Sequence, residues 1–496
     1  MIQQDIFALK SEKNKDIYFS SFLVVLTILI ALKFAPLGVD WHHHGVMFNG
    51  AISFFSDTGK LYKDFYYHYG PLTALMHAVV MLIFGKKLIV LQYFTSVIYG
   101  VIAFQLYFLS KFFFNSLKSF LIVIITILMA PYFIWVLMPW SSVYAIPFFI
   151  MIFRCLLDKN RQYSYITLGV SVAMIFFIRQ SNGLLCVAAL SLLIFIGQNK
   201  DYYKKSMLVF FIMFLFGTLI LVLNGVYLDY VLKAFKGQVI FTAGVVYSKD
   251  GTVISFLKSI LVPFFCGRIL ISGFGFFNLV FIFFLIYIFF NLFKYKFSFF
   301  KHDYFDLILF CLASLGQMAP VDCDRHYYWA FLPTAPLLIF FLNSLLQDLN
   351  GNAIVRIFTR LAFVFLLVIL MFEISFRLKF GLERIHTERV LINSEDSEVL
   401  SGMRISKDDS LFFFPYMRNF KYKNSYKKME GVTLLPYANI NNFRKIQSDS
   451  IFKMEFEQMK REELDSFPYY LGWKHPLKTA GRNDFLYCSK EEFLVD

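Results

Sequence analysis

Asp40 stands just past a long apolar run and opens a segment crowded with groups able to do chemistry: Asp40-Trp41-His42-His43-His44-Gly45. A carboxylate at the edge of an apolar slab is partly desolvated, which raises its basicity. Such a group can take a proton from a hydroxyl. It can equally cap the helix that follows, and the residue chemistry permits both. The same segment continues through Gly59-Lys60-Leu61-Tyr62-Lys63-Asp64-Phe65-Tyr66-Tyr67-His68-Tyr69-Gly70-Pro71-Leu72. Asp64 can meet a substrate or hold Lys63 and the loop.

Cations stand at the ends of other apolar runs. Arg179, in Phe177-Ile178-Arg179-Gln180-Ser181-Asn182-Gly183, is either a functional guanidinium or an anchor that snorkels to the interface. Asp322-Cys323-Asp324-Arg325-His326-Tyr327-Tyr328 offers Arg325 and His326 for an anionic or polar ligand. A solvated turn with a local Asp–Arg pair is the plainer reading. Arg268 is the weakest of these candidates. The three histidines suggest a metal, but their spacing does not. Neighbours alternate faces on a strand and diverge by about 100° on a helix, so the three cannot easily converge on one ion. Only with Asp40 and His68 added does a divalent site form on paper. The sequence therefore requires no cofactor, and a divalent metal is the lesser reading.

The elements that must position these groups are apolar runs. They recur at roughly 19–37, 88–110, 119–138, 142–157, 163–178, 183–197, 206–223, 269–293, 304–319, 330–346 and 355–376. Most approach the ~20 residues that a membrane span needs. The stretch Leu72 to Phe84 is shorter and suits an interfacial or re-entrant helix better than a span. With that stretch lying flat, the even gaps or their edges hold Lys111 and Lys118, then Arg154, Lys159 and Arg161, then Lys200, Lys204 and Lys205, then Lys294, Lys296 and Lys301, then Arg356 and Arg360. Basic residues are retained on the cytoplasmic side, so these gaps are expected inside. The long loop 38–87, the turn 179–183, the loop 224–268 and the segment 320–329 are then expected outside. The N-terminus is expected in the cytoplasm and residues 379–496 outside, the latter as a small α+β domain with β-like runs at Leu411–Phe414 and Val432–Leu435.

Composition agrees. Of 496 residues, 58% are hydrophobic and only 17% charged, and 65 are Phe, more than one water-soluble core can hide. The net charge of +14 lies mostly in the inner gaps and the tail, which argues against a nucleic-acid partner. Six cysteines without paired or metal-type spacing behave as small hydrophobes.

The order Asp40–aromatic–His, a small-residue helix, Gly-x-x-Tyr-x-Asp-Phe, then Tyr69-Gly70-Pro71-Leu72 resembles the first outer loop of the GT-C glycosyltransferases. The nearest branch is that of protein mannosyltransferases and the lipid A aminoarabinose transferase. The chain has one acidic residue beside the aromatic where several relatives have a pair, and Tyr69 where some have a base. The resemblance implies an all-α polytopic fold of about eleven spans over residues 1–378, with juxtamembrane helices. It implies a membrane enzyme that moves a hexose or pentose from a polyprenyl-phosphate donor to a cell-envelope acceptor: lipopolysaccharide, another glycan, a lipid or a protein. Asp40 would be the general base. Arg179, Arg325, His326 and Arg268 are candidates for the donor phosphate or sugar, as are His43, Asp64, His68 and Tyr67. Tyr66, Tyr67 and Tyr69 also suit sugar stacking, although an interfacial belt is the expected role. Two rival readings are an O-antigen polymerase or ligase, expected to carry its large loop late, and a lipid-linked saccharide flippase, expected to show paired broken helices.

Overall fold

The computed structural model describes residues 2–37, 44, 47–48, 50–51, 53–55, 61, 67, 69–85, 88–196, 199–226, 275–301, 304–316, 324–348 and 353–387, with strand residues 411–413, 469–473 and 485–489. The helices are α1 (Ile2–Phe34), α2 (Pro71–Phe84), α3 (Leu88–Ser110), α4 (Ser116–Leu128), α5 (Ser141–Leu157), α6 (Ser164–Ile178), α7 (Gln180–Ile196), α8 (Lys200–Leu223), α9 (Gly275–Tyr295), α10 (Phe305–Leu315), α11 (Asp324–Phe331), α12 (Ala335–Asp348) and α13 (Ala353–Thr387). Every apolar run expected to span contains a helix among its described residues. Among the described residues, five stretches are long and apolar enough to cross a membrane: Asn14–Phe34, Ile89–Ser110, Ser116–Phe133, Lys200–Leu223 and His326–Gln347.

The middle of the bundle is α5, apolar on every side and buried along most of its length. It packs on α3 and α6, and α6 in turn packs on α7 and α8. On the other flank α1 lies along α3 and α4, while α9 packs on α12 and α13. Lipid tails are as apolar as Leu, so helix association in a membrane rests on close packing and on bonds between helices. Three such bonds are Tyr144 to Thr95 (2.7 Å), Tyr328 to the Thr126 carbonyl (2.9 Å) and the Trp329 indole to the Tyr99 hydroxyl (3.1 Å). By contrast α8 exposes Leu208, Phe211, Leu215 and Leu219 and is suited to face lipid.

Two expectations about element boundaries change. The segment 324–329, expected as part of an outer turn, is helical, because Tyr327, Tyr328, Trp329 and Phe331 bury themselves against the bundle. The helix then stops at Phe331: Pro333 lies in the 3-10 turn Leu332–Thr334, and α12 restarts the run. The run 119–138 also ends early, at Leu128, before the Pro131–Phe133 turn.

Polar contacts sort into two ends of the bundle. At one end the Asp16 carboxylate accepts bonds from Tyr107 (2.6 Å) and Ser116 (2.8 Å), with Lys111 at 3.3 Å. Asp306 there meets Lys159 and the Tyr203 hydroxyl, both at 2.6 Å. These contacts join the basic gaps expected inside. At the other end the described parts of the segments expected outside meet one another. In the C-terminal region β1 (Leu411–Phe413) pairs parallel with β2 (Tyr469–Trp473), which pairs antiparallel with β3 (Phe485–Ser489). The run 432–435 lies outside the described residues.

Candidate active site

The second of these ends is built around the break between α6 and α7. Arg179 leaves the helix with an extended backbone (φ −148°, ψ 98°), which turns its side chain toward α5. Its Nη1 donates to the buried Ser142 hydroxyl, at the start of α5. Among the described residues no carboxylate pairs with it. The remaining guanidinium N–H groups, a planar fork suited to phosphate, are therefore not neutralised within the described structure.

The segment leading into α2 docks on the same break. Gly70 donates its N–H to the Ile178 carbonyl at 3.0 Å, and Thr73 on α2 reaches the same carbonyl at 3.4 Å. The approach is close enough to require glycine: a Cβ at position 70 would lie 1.9 Å from the Phe177 carbonyl oxygen. Pro71 then begins α2, its fixed φ suiting the first helical position. Thus Tyr69-Gly70-Pro71 is seated on the backbone that carries Arg179.

Aromatic rings wall the junction. Tyr69 meets Trp140 edge-on with centroids 4.8 Å apart, and Trp140 stacks beside Trp329 at 6.4 Å. His326, partly exposed on α11, stands 6.4 Å from the Trp140 ring and 5.7 Å from that of Trp329. Arg179, Tyr69, Trp140 and His326 are therefore one cluster drawn from four separate stretches of sequence. Arg325 lies on the same helix, one position before His326.

Other candidates fare differently. Tyr67 is fully buried, and its hydroxyl donates to the Met47 sulfur at 3.5 Å. Tyr69 is buried beside it. Both rings are buried within the protein and not exposed as an interfacial belt would be: Tyr67 packs against Gly50 within the loop, and Tyr69 against Trp140. His44 is also buried. Its Nε2 lies 2.9 Å from the Leu137 carbonyl and 3.1 Å from the Gln92 side-chain amide. It pins the outer loop to the segment before α5. Asp40, His43, Asp64, His68 and Arg268 lie outside the described residues.

One buried cation at this end was not singled out in the sequence. Arg384, near the end of α13, is buried and donates to the carbonyls of Leu37 (3.1 Å), Tyr132 (2.8 Å) and Trp135. Its only sequence signal was a basic residue placed just beyond an apolar run.

Comparison with solved structures places this arrangement. The oligosaccharyltransferase of Archaeoglobus fulgidus in its apo form superposes with a TM-score of 0.50 at 12% identity, over 92% of this chain and 69% of that one. ArnT from Cupriavidus metallidurans in the apo state also gives 0.50, at 10% identity, over 86% of this chain and 91% of that one. The chain has the GT-C fold. With its candidate spans, that fold makes it a multi-pass membrane protein. No family model and no curated protein sequence matches it. Within the GT-C fold, the cluster around Arg179 is formed where the segment before α2 meets the α6–α7 break and the start of α5.

Proposed function

We propose that the chain is a glycosyltransferase that moves a sugar from a polyprenyl-phosphate carrier to a cell-envelope acceptor on the outer face of the membrane. The observation that carries this reading is the docking of Tyr69-Gly70-Pro71 on the α6–α7 break, beside Arg179 and within the aromatic cluster of Trp140, Trp329 and His326. The first outer loop starts from Leu37, whose carbonyl is held by Arg384 at this same end. Asp40 follows Leu37 after only Gly38 and Val39.

The chemistry divides among the residues. Asp40 takes the proton of the acceptor hydroxyl as that oxygen bonds to the anomeric carbon. The bond from that carbon to the carrier phosphate breaks, and the phosphate leaves with the electron pair. Arg179, tethered through Ser142, faces the charge that grows on the leaving phosphate. A fixed cation in a site of low dielectric stabilises that charge most in the transition state. His326, beside Trp140 and Trp329, is a further contact for the phosphate or sugar, and Arg325, its neighbour in sequence, remains a candidate for the same role. His43, Asp64, His68 and Arg268 remain candidates for acceptor or carrier contacts, and Tyr67 for shaping the loop that carries them.

In this reading the basic gaps face the cytoplasm of the inner or plasma membrane and residues 379–496 form an outer α+β domain. The test is sugar transfer in membranes supplied with several polyprenyl-phosphate sugars. Asp40→Asn should abolish transfer while the protein stays folded in the membrane. Full transfer by this variant would reject Asp40 as the base.

A further inference from the structure

The end of the bundle that carries the basic gaps has a joint of its own, remote from the α6–α7 break. The last turn of α5 and the first turns of α6 and α8 meet at the Cys155 carbonyl. That carbonyl accepts from the Ser164 hydroxyl at 3.1 Å and from the Tyr202 hydroxyl at 3.3 Å, and the two hydroxyls lie 2.9 Å apart. A compact turn joins α5 to α6. Asp158 donates its N–H to the Arg154 carbonyl (3.0 Å), Arg161 to that of Asp158 (3.2 Å) and Ser164 to that of Arg161 (3.0 Å).

Cations crowd this joint. Arg154 is half-buried in the last turn of α5, next to Cys155. The turn holds Arg161 close enough that its repulsion of Arg154 outweighs the attraction of Asp158. Two residues past Tyr202, Lys204 is exposed on α8, and Lys205 beside it stands over the Tyr165 ring at 5.7 Å. Lys159 pairs with Asp306. Among the described residues Arg154, Arg161 and Lys204 form no ion pair. Like charges held together by a tight turn oppose folding, and an anion between them removes that opposition. A guanidinium is well shaped to grip a phosphate.

The surface of α8 shows what kind of anion fits. Lys204 is followed at helical spacing on the same face by Leu208, Phe211 and Leu215, which are 61%, 51% and 66% exposed. From Lys204 to Leu215 the helix rises about 16 Å, close to half of the ~30 Å hydrocarbon core. A cation at the head of an apolar stripe one leaflet deep matches a molecule with an anionic head and an acyl chain. A soluble phosphate or an acidic peptide would meet the cations and leave the stripe unused.

We propose that this joint binds an anionic phospholipid of the leaflet on the side of the basic gaps. Its phosphate is held among Arg154, Arg161 and Lys204, and an acyl chain lies along Leu208, Phe211 and Leu215. The bound lipid neutralises the guanidinium pair and fastens α8 to the ends of α5 and α6. The proposal depends on these gaps lying at the membrane edge, and not on the proposed sugar transfer.

The experiment titrates purified full-length protein with phosphatidylglycerol, and separately with phosphatidylcholine of the same chains, and follows bound lipid by native mass spectrometry. It compares wild type, Arg161→Gln, Lys204→Gln, the double variant and Lys118→Gln. Arg161 and Lys204 are exposed, so their replacement leaves the packing of the bundle intact. Lys118→Gln removes an exposed cation from another basic gap. Wild type should prefer phosphatidylglycerol. Arg161→Gln and Lys204→Gln should each weaken it about fivefold, and the double variant about twenty-fivefold, as one cation apiece near an anionic headgroup implies. Lys118→Gln should leave it unchanged.

Equal binding of the two lipids, or an equal loss in Lys118→Gln, would overturn the proposal in favour of diffuse attraction. Glycerol phosphate binding as tightly as the whole lipid would overturn the role of the apolar stripe. Displacement of phosphatidylglycerol by an equimolar amount of polyprenyl phosphate would give the place to the carrier and overturn the assignment to phospholipid.

Discussion

Gly70→Ala tests whether the seat of the first outer loop on the α6–α7 break governs activity. The added Cβ would lie 1.9 Å from the Phe177 carbonyl oxygen, 2.4 Å from its carbon and 2.8 Å from the Ile178 carbonyl carbon. An ordinary carbon–oxygen contact is about 3.3 Å, so the two backbones must part by about 1.4 Å. Neither neighbour is the tip of a flexible side chain that could step aside. Overpacking of this kind costs about 1–3 kcal/mol. The bond from the Gly70 N–H to the Ile178 carbonyl, worth about 1 kcal/mol, is stretched or lost with it. The total of about 2–4 kcal/mol is enough to lift the loop from its seat without unfolding the helices. Tyr69 would move with Gly70, away from Trp140 and from the side of Arg179. The expected result is a fall in kcat of about a hundredfold, with a modest drop in thermal midpoint. The assay is sugar transfer from polyprenyl-phosphate donors by purified protein. A Gly70→Ala enzyme with wild-type kcat would show that the docked loop does not position the chemistry.

Two further substitutions separate binding from support. Arg179→Ala removes the guanidinium that Ser142 tethers. A charge-assisted bond is worth about 1.5–3 kcal/mol, so affinity for polyprenyl phosphate should fall about ten- to a hundredfold, and an unchanged dissociation constant would refute the phosphate role. Asp306→Asn weakens the contact with Lys159 at the far end of the bundle. Because Lys159 is partly exposed, the cost should be about 1–3 kcal/mol, read as a lower thermal midpoint with carrier affinity intact; a loss of carrier affinity would mean that the two ends are not independent.

The helices were legible because membrane spans need long apolar runs, and each run expected from the sequence contains a helix among its described residues. Boundaries were less legible where the run does not end with the helix. Pro131 and Pro333 divide apolar stretches that read as continuous, and the aromatic residues 327–329 extend a helix into a segment that read as a turn because it is dense in charge. At the site, Tyr69-Gly70-Pro71, Arg179 and His326 were singled out separately, but nothing local indicated that they converge. The reason Gly70 must be glycine lies on Phe177, far away in the chain. The three adjacent histidines were read as too divergent to share one ion, but nothing local showed that the third is held by the Leu137 carbonyl and the Gln92 amide. Arg384 went unnoticed because its partners are carbonyls of Leu37, Tyr132 and Trp135, and backbone acceptors leave no mark in a sequence.

Sidedness is what the whole account needs most. Single cysteines replacing Asp40 and Lys159, in a background with the six native cysteines removed, can be labelled on intact cells with a membrane-impermeant maleimide. Position 40 should react at once, and position 159 only after permeabilisation. The opposite pattern would place the carboxylate in the cytosol, away from an outer-face donor, and contradict the proposed reaction.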